Sequence, residues 1–263
     1  MYIAILDDMD VQRLQFALDA LVQWSDTWQL PISINKCCLL NIGKNTCDTV
    51  VNIGGCTLPV VNHTRDLGIT VSSDLSPSLH VTDIVSKAHI RACLILRAFM
   101  SRNIHLLKRA FLVYVRPIVE HNSIIWSPYT ARDIDAVESV QRRFTKRLPT
   151  LRNMSYNDRL RYLNIPSLEL RRLHTDLFWC YKVVFRLVLV SFDDLFVFSP
   201  CQVTRGHAFK LFKRQNTHCV RANYFSERVI NCWNSLPDSV DFSSFTTFRR
   251  TVKQVDFSRF LRH

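Results

Sequence analysis

The pattern of apolar and polar positions divides the chain into a mixed first part and a helical remainder. In the first part a helix is predicted over Val11–Trp28, because its apolar residues share one stripe and Asp10 can cap it. Short apolar or alternating runs on either side predict strands. These runs are Met1–Leu6, Pro31–Asn35, Cys37–Ile42, Asp66–Ser72, and the two arms of a hairpin across Gly54-Gly55, namely Val50–Ile53 and Cys56–Val60.

Helical spacing takes over from residue 79. The predicted helices are Val81–Phe99, Leu106–Tyr114, Asp133–Leu148, Tyr156–Leu163, Leu168–Val190, Tyr224–Ser235 and Phe245–Phe260, with a short β-like stretch around Val203 and Phe209. We therefore expect an α+β fold. Residues 1–78 would hold a few strands and one helix, residues 79–190 a mainly α-helical region, and residues 191–263 a basic C-terminal region.

Charge is distributed unevenly along the chain. Residues 1–80 carry a net charge of −4, residues 81–190 carry +11, and residues 191–263 carry +5. A composition of 48% hydrophobic and 21% charged residues excludes a disordered chain. A strongly basic folded body favours a polyanionic partner such as nucleic acid, although ordinary surface solubility would produce the same balance.

The cysteines and the most apolar segment indicate an intracellular protein, in the cytoplasm or the nucleus. The nine cysteines are odd in number and show no CxxC pair, as expected of reduced thiols. Zinc is disfavoured, because the spacing of Cys201, His207, His218 and Cys219 matches no zinc motif. The segment Leu177–Phe198 contains four charged residues, so no membrane span is expected there.

Several short motifs follow one another in a characteristic order. They are Leu14-Gln15, Leu18–Leu21, Trp24-Ser25, Trp28, Asn35–Cys37 through Ile42-Gly43, Arg65–Ile69, His80, Lys87-Ala88, Arg97, Tyr114–Pro117, Glu120, Ile125–Pro128, Val137–Phe144, Tyr224–Ser226, Arg228-Val229 and Trp233–Pro237. In this order they resemble the carboxy-terminal part of reverse transcriptases from non-LTR retrotransposons of the LINE or jockey type. The resemblance covers the end of the palm, the thumb and the C-terminal region.

The resemblance implies an RNA-directed DNA polymerase whose partner is an RNA–DNA hybrid or double-stranded nucleic acid. Residues 1–78 would be a remnant of the palm, and the region after it a thumb that holds the duplex. Lys36 would stand beside the palm, Gly68 in the hairpin that grips the primer end, and Lys87 at the opening of the thumb. The residues themselves allow other interpretations, since Lys36 can be structural and Gly68 can be a simple β-turn glycine.

This sequence differs from the family pattern at the catalytic aspartates. The family's Asp-Asp turn has a strand on each side and would precede Met1, so we expect no catalytic residue and no metal or cofactor in this chain, whereas the parent enzyme would use Mg²⁺. Asp7-Asp8 resembles such a pair, but a helix follows it directly. We interpret these two residues as helix N-terminal acids rather than as a vestigial metal site.

A run of cations ends the predicted helix Asp133–Leu148. Arg143 and Arg147 share one face at i,i+4 spacing, and Arg142 and Lys146 share the next, so these side chains could span successive phosphates. The alternative is a solvated basic face that complements the helix C-terminus.

Three hypotheses for the function remain open. The chain is an inactive polymerase fragment that retains duplex binding, a nucleic-acid-binding module without an enzymatic role, or a non-functional remnant that folds poorly. The sequence does not indicate an oligomeric state.

Overall fold

The computed structural model describes residues 2–43, 50–200, 206–215 and 217–263, and it divides into two compact units. Unit 1 comprises residues 1–77 and unit 2 comprises residues 78–263. The expected α+β class with a mostly helical character is confirmed, since helices take up 53% and strands 7% of the described residues.

Unit 1 begins with helix α1, Asp8–Thr27. Its cap is Asp7, which has an extended backbone and accepts a hydrogen bond from the Asp10 backbone N–H at 3.0 Å, so the predicted cap at Asp10 is wrong. Asp10 instead accepts from the backbone N–H of Leu6 at 3.0 Å. Residues 2–6 form no strand, and the strand predicted over Met1–Leu6 is wrong over the described residues, because this N–H bonds a side chain rather than a neighbouring strand.

The described strands of unit 1 are short and pair in twos. They are β1 Leu39–Leu40, β2 Asn52–Ile53, β3 Cys56–Thr57, β4 Val60–Val61, β5 His63–Asp66 and β6 Ile69–Ser72. Strand β1 pairs in parallel with β4, while β2–β3 and β5–β6 are antiparallel hairpins. The predicted hairpin across Gly54-Gly55 is confirmed, and its glycines have φ values of +55° and +79°.

Two other strand predictions in unit 1 are correct only in part or wrong. Of the strand predicted over Asp66–Ser72, Ile69–Ser72 is β6, whereas Leu67 and Gly68 take φ values of +45° and +87° and form the turn that joins β5 to β6. In place of a strand over Pro31–Asn35, Ile34–Lys36 forms a 3-10 turn. Within Cys37–Ile42 only the two residues of β1 are paired.

The core of unit 1 lies between α1 and the β2–β3 hairpin. Leu14 and Leu18 are buried there together with Val51, Ile53 and Leu58. Gln15 contacts the backbone of Asn52 twice, accepting its N–H at 3.0 Å and donating to its carbonyl at 2.9 Å. This amide side chain therefore satisfies both hydrogen-bonding groups of one strand residue.

Some apolar residues of α1 lie away from the buried stripe of Leu14 and Leu18. Met9, Phe16 and Trp24 are exposed, and Phe16 is 77% exposed. The helix thus has a buried apolar face and additional exposed apolar residues.

Unit 2 is built from helices. They are α2 Ser78–Ala98, α3 Ile104–Tyr114, α4 Ser123–Trp126, α5 Ala131–Lys146, α6 Tyr156–Leu163, α7 Leu168–Val184, α8 Phe192–Leu195, α9 Cys219–Ala222, α10 Phe225–Asn234 and α11 Phe245–Val252, with 3-10 turns at Arg116–Val119 and Ser258–Phe260. The predicted helices α2, α3, α5, α6 and α10 are present with ends shifted by at most three residues. The helix predicted over Phe245–Phe260 ends at Val252, and its last residues form the second 3-10 turn.

Helix α7 ends six residues earlier than predicted. Arg186 takes a left-handed φ of +54°, and its N–H bonds the Val183 carbonyl at 3.1 Å. The N–H of Leu187 bonds the Lys182 carbonyl at 2.7 Å. These two bonds form a Schellman motif, which stops the helix although no glycine marks the position.

Helix α7 also carries the main core of unit 2. Leu177 and Cys180 of α7 are buried against Trp233 of α10 and Phe248 of α11. The predicted division between residues 190 and 191 therefore falls inside unit 2. Near the β-like stretch predicted around Val203 and Phe209, Leu211 forms an isolated bridge with Phe198, and Val203 lies outside the described residues.

Candidate nucleic-acid interface

Helices α2 and α5 lie side by side and run in the same direction. Three side-chain hydrogen bonds connect them in matching order along both helices. The bonds join Ser78 Oγ to Asp133 Oδ2 at 2.6 Å, His89 Nε2 to Ser139 Oγ at 3.3 Å, and Arg147 Nη1 to Cys93 Sγ at 3.5 Å. The C-termini of the two helices therefore lie on the same side of unit 2.

The inner face of α5 is a packing surface. Val137 and Val140 are fully buried, and the Phe144 ring stacks on Phe111 with 4.7 Å between ring centroids. This face fixes which side chains of α5 can point outward.

Glu138, in the middle of the same helix, is fully buried and caps α7 from outside. Its carboxylate accepts the backbone N–H groups of Leu168 and Glu169, each at 3.1 Å, and the hydroxyl of Tyr156. Burial and this carboxylate raise the pKa of Tyr156 well above its ordinary value. A negative side chain at a helix N-terminus also complements the helix dipole, so Glu138 ties α5 to α6 and α7.

Arg142 is engaged within the protein. Its guanidinium lies 5.3 Å from the centroid of the Tyr156 ring, and that of Arg159 lies 5.5 Å from the same centroid. Arg142 Nη2 also lies 3.4 Å from the His263 ring nitrogens. Of the four cations in the predicted run, this one has a structural role.

Arg143, Lys146 and Arg147 are exposed at the end of α5. Throughout the described ranges, Arg143 and Lys146 form no ion pair or hydrogen bond, and Arg147 bonds only Cys93. We call these three residues the α5 basic cluster. Its positive charge is balanced by no carboxylate within ion-pair distance in the part of the chain that the structure describes.

His89 borders the α5 basic cluster. Burial lowers its pKa, and the charges of Arg143 and Arg147 lower it further. The sequence motifs single out neither His89 nor Cys93. Their i,i+4 spacing on α2 places them on the face that meets α5, which is the signal that could have drawn attention to them.

The other predicted site residues lie apart from this cluster. Lys87 lies on α2 and forms an exposed ion pair with Asp83 at 2.6 Å. Lys36 is exposed at the end of the 3-10 turn in unit 1, and Gly68 occupies the tip of the β5–β6 hairpin. The structure thus brings Arg143, Lys146 and Arg147 together on one helix end.

The described residues contain neither a cluster of metal ligands nor a membrane-spanning helix. No group of three or more metal-ligating side chains is placed to hold a metal ion within residues 2–43, 50–200, 206–215 and 217–263. His207 instead contacts the Trp233 carbonyl at 2.9 Å, and Cys201 lies outside these ranges. No helix among the described residues is long and apolar enough to cross a membrane.

Among known proteins, similarity to this chain is found in an uncharacterized protein and covers less than half of the chain. No protein-family model and no solved structure matches the chain. An uncharacterized protein of Caenorhabditis elegans is 27% identical over 115 residues, which is 43% of this chain. The matched segment spans 58% of the length of that relative.

Proposed function

We propose that unit 2 binds nucleic-acid duplexes through their phosphates, as the duplex-holding part of a reverse transcriptase of the non-LTR retrotransposon type. The observation that carries the proposal is the α5 basic cluster. Its three exposed cations have no carboxylate partner in the described parts of the chain, and the surrounding residues 81–190 carry a net charge of +11.

The contacts made by the individual residues of the motif Val137–Phe144 support this proposal. Its apolar residues fill the core, Glu138 caps α7, Ser139 bonds His89, and Arg142 packs on Tyr156. Arg143, in contrast, is exposed and makes no hydrogen bond or ion pair with the described residues. An exposed cation of this kind is available to a polyanion.

The spacing of the cluster suits a phosphate backbone. Arg143 and Arg147 are one turn apart on α5, so their Cβ atoms are about 5–6 Å apart on one face. Lys146 lies beside them and adds a third charge. Phosphate contacts carry no base information, and we therefore expect binding with little sequence preference.

We propose that this chain retains binding without polymerisation. Asp7 caps α1, and Asp8 lies in the first turn of that helix, where acids stabilise the helix dipole. A two-metal polymerase site needs a set of convergent carboxylates instead. We expect no template-dependent primer extension with Mg²⁺ or Mn²⁺, and incorporation that is lost in Asp7→Ala or Asp8→Ala would contradict this expectation.

The test of duplex binding is fluorescence anisotropy across a salt series, with an RNA–DNA hybrid and a DNA duplex as probes. Replacing Arg143 and Arg147 together with Gln should weaken binding. It should also flatten the slope of log affinity against log salt by roughly 1–2 units, because each neutralised phosphate contributes about 0.9 on a B-form duplex.

The matched control removes two positive charges elsewhere in unit 2. Arg161, which lies 3.6 Å from Asp158, and Arg250, whose charge acts on Asp241, can be replaced together with Gln. This control should leave the slope near that of the wild type. Equal slopes for the wild type and the Arg143→Gln/Arg147→Gln variant would show that the α5 basic cluster does not contact phosphate.

The ancestry is tested separately. Reading the genomic frame upstream of the coding sequence should reveal a [Phe/Tyr]-x-Asp-Asp turn if the chain derives from such a polymerase. If the upstream frame encodes no such turn, the chain would instead be a nucleic-acid-binding module that does not derive from such a polymerase.

A further inference from the structure

We propose that His89 is a third, proton-dependent member of the phosphate site formed by Arg143 and Arg147, so that duplex binding takes up a proton. This inference rests on the proposed function and concerns how pH regulates phosphate binding at that site. It follows from the position of the imidazole between α2 and α5 and from the groups that surround it.

The hydrogen bonds around His89 assign its tautomer. The Ser139 hydroxyl donates to the Ala136 carbonyl at 2.7 Å, so its hydrogen is already used. The Ser139 oxygen, 3.3 Å from His89 Nε2, is then left to accept, and the neutral imidazole carries its proton on Nε2. Nδ1 has no partner among the described residues and is the atom that a second proton would join.

The charges that act on His89 all have the same sign. Helix α5 contributes Arg143 and Arg147, and on α2 the Cys93 thiol bonds Arg147. No carboxylate from the described elements packed on α2, namely α3, α5 and the 3-10 turn Arg116–Val119, acts on this imidazole. The carboxylates nearest in sequence on α5 are engaged elsewhere, Asp135 with His263 and Glu138 with the start of α7.

A phosphate held by Arg143 and Arg147 reverses this balance. In the free protein, burial and the two cations disfavour the imidazolium ion and lower the pKa of His89 below the ordinary 6.5. Bound phosphate adds negative charge beside the arginines, offsets their repulsion and raises the pKa of His89. Binding then takes up a proton in the pH range between the pKa of His89 in the free protein and its pKa in the complex, and affinity rises as pH falls through that range.

The first experiment measures the coupling without nucleic acid. The pKa of His89 is read from the ring proton resonances of the full chain, in the wild type and in Arg143→Gln/Arg147→Gln. Removal of the two cations should raise this pKa towards 6.5, whereas the control Arg161→Gln/Arg250→Gln should leave it unchanged. An equal pKa in the wild type and the Arg143→Gln/Arg147→Gln variant would overturn the proposal.

The second experiment measures anisotropy of a DNA duplex at pH 7.5 and pH 5.5, for the wild type and for His89→Gln, whose amide can still donate to Ser139. The wild type should bind several-fold more tightly at pH 5.5, with a limit of about tenfold per pH unit for one proton. His89→Gln should lose this gain. Salt-sensitive binding with the same pH dependence in both proteins would overturn the role of His89 and leave the proposed function standing, whereas absence of binding in both would remove both proposals.

Discussion

At the residue scale, amide side chains complete the backbone pairing of both units. Asn234 of α10 accepts the N–H of Leu211 at 2.9 Å and donates to its carbonyl at 2.8 Å, as Gln15 does for Asn52. Each amide supplies the donor and the acceptor that a neighbouring strand would otherwise provide. Both residues belong to motifs recognisable in the sequence, and the structure gives them a physical role.

His174 is a second residue whose role only the fold reveals. Its ring lies 6.0 Å from the Phe178 ring and 5.6 Å from the Phe257 ring, measured between centroids. Nε2 is buried without a partner in the described ranges. Burial, together with the charges of Lys253 and Arg171, lowers the pKa of His174 to about 4.

This histidine should make the stability of unit 2 depend on pH. Between pH 6.5 and pH 4 the unfolded chain binds a proton at His174 and the folded chain does not, so stability falls as pH falls. The loss amounts to at most about 3 kcal/mol. His174→Phe should flatten this dependence, as measured by urea unfolding at several pH values. An unchanged pH profile in the variant would show that another group is responsible.

At the element scale, the sequence predicts a helix boundary correctly where a typical capping residue marks it, and incorrectly where no such residue is present. Helix α6 was predicted with both ends correct, since Ser155 caps its start and Asn164 takes the left-handed conformation at its end. The end of α7 was missed because Arg186 occupies a position where glycine is the usual signal. The strands of unit 1 were overpredicted because a short apolar run does not reveal how few of its residues pair.

The candidate site shows the same limit. The spacing of Arg143 and Arg147 could be read from the sequence, because helical periodicity fixes which residues share a face. The engagement of Arg142 could not, since its partner Tyr156 lies on another helix. Local periodicity gives the direction of a side chain, whereas its partner depends on how the helices pack.

The link between α5 and α7 yields a test at this scale. Glu138→Ala leaves the Ser167 cap of α7 in place but deprives the Tyr156 hydroxyl and two backbone N–H groups of their buried acceptor. We expect a loss of about 3 kcal/mol or more in the free energy of unfolding. Asp83→Ala, which breaks the exposed pair with Lys87, should cost about 0.5 kcal/mol or less. Chemical denaturation of both variants measures the contrast, and similar losses would show that Glu138 is not the link.

At the scale of the whole molecule, the two units differ in net charge. Residues 1–80 carry a net charge of −4, whereas the α5 basic cluster and the core around Trp233 both lie in unit 2. Folding and duplex binding should therefore be properties of residues 78–263.

Expression of residues 78–263 alone tests this separation. The fragment should show a helical circular dichroism spectrum, cooperative unfolding and the salt dependence of binding of the full chain. A fragment that folds and yet shows a markedly flatter salt slope would indicate that unit 1 contributes phosphate contacts. A fragment that does not unfold cooperatively would show that the core of unit 2 needs unit 1.

We expect the exposed apolar residues of α1 to influence how long this protein persists in a cell. Chaperones and proteases recognise exposed apolar surface such as that of Met9, Phe16 and Trp24, so turnover should depend on these residues as well as on global stability. Phe16→Gln with Trp24→Gln should lengthen the half-life in a pulse-chase measurement, because neither residue belongs to the core around Leu14 and Leu18. A partner that covers these residues would have the same effect, so the abundance of the protein would follow the abundance of that partner.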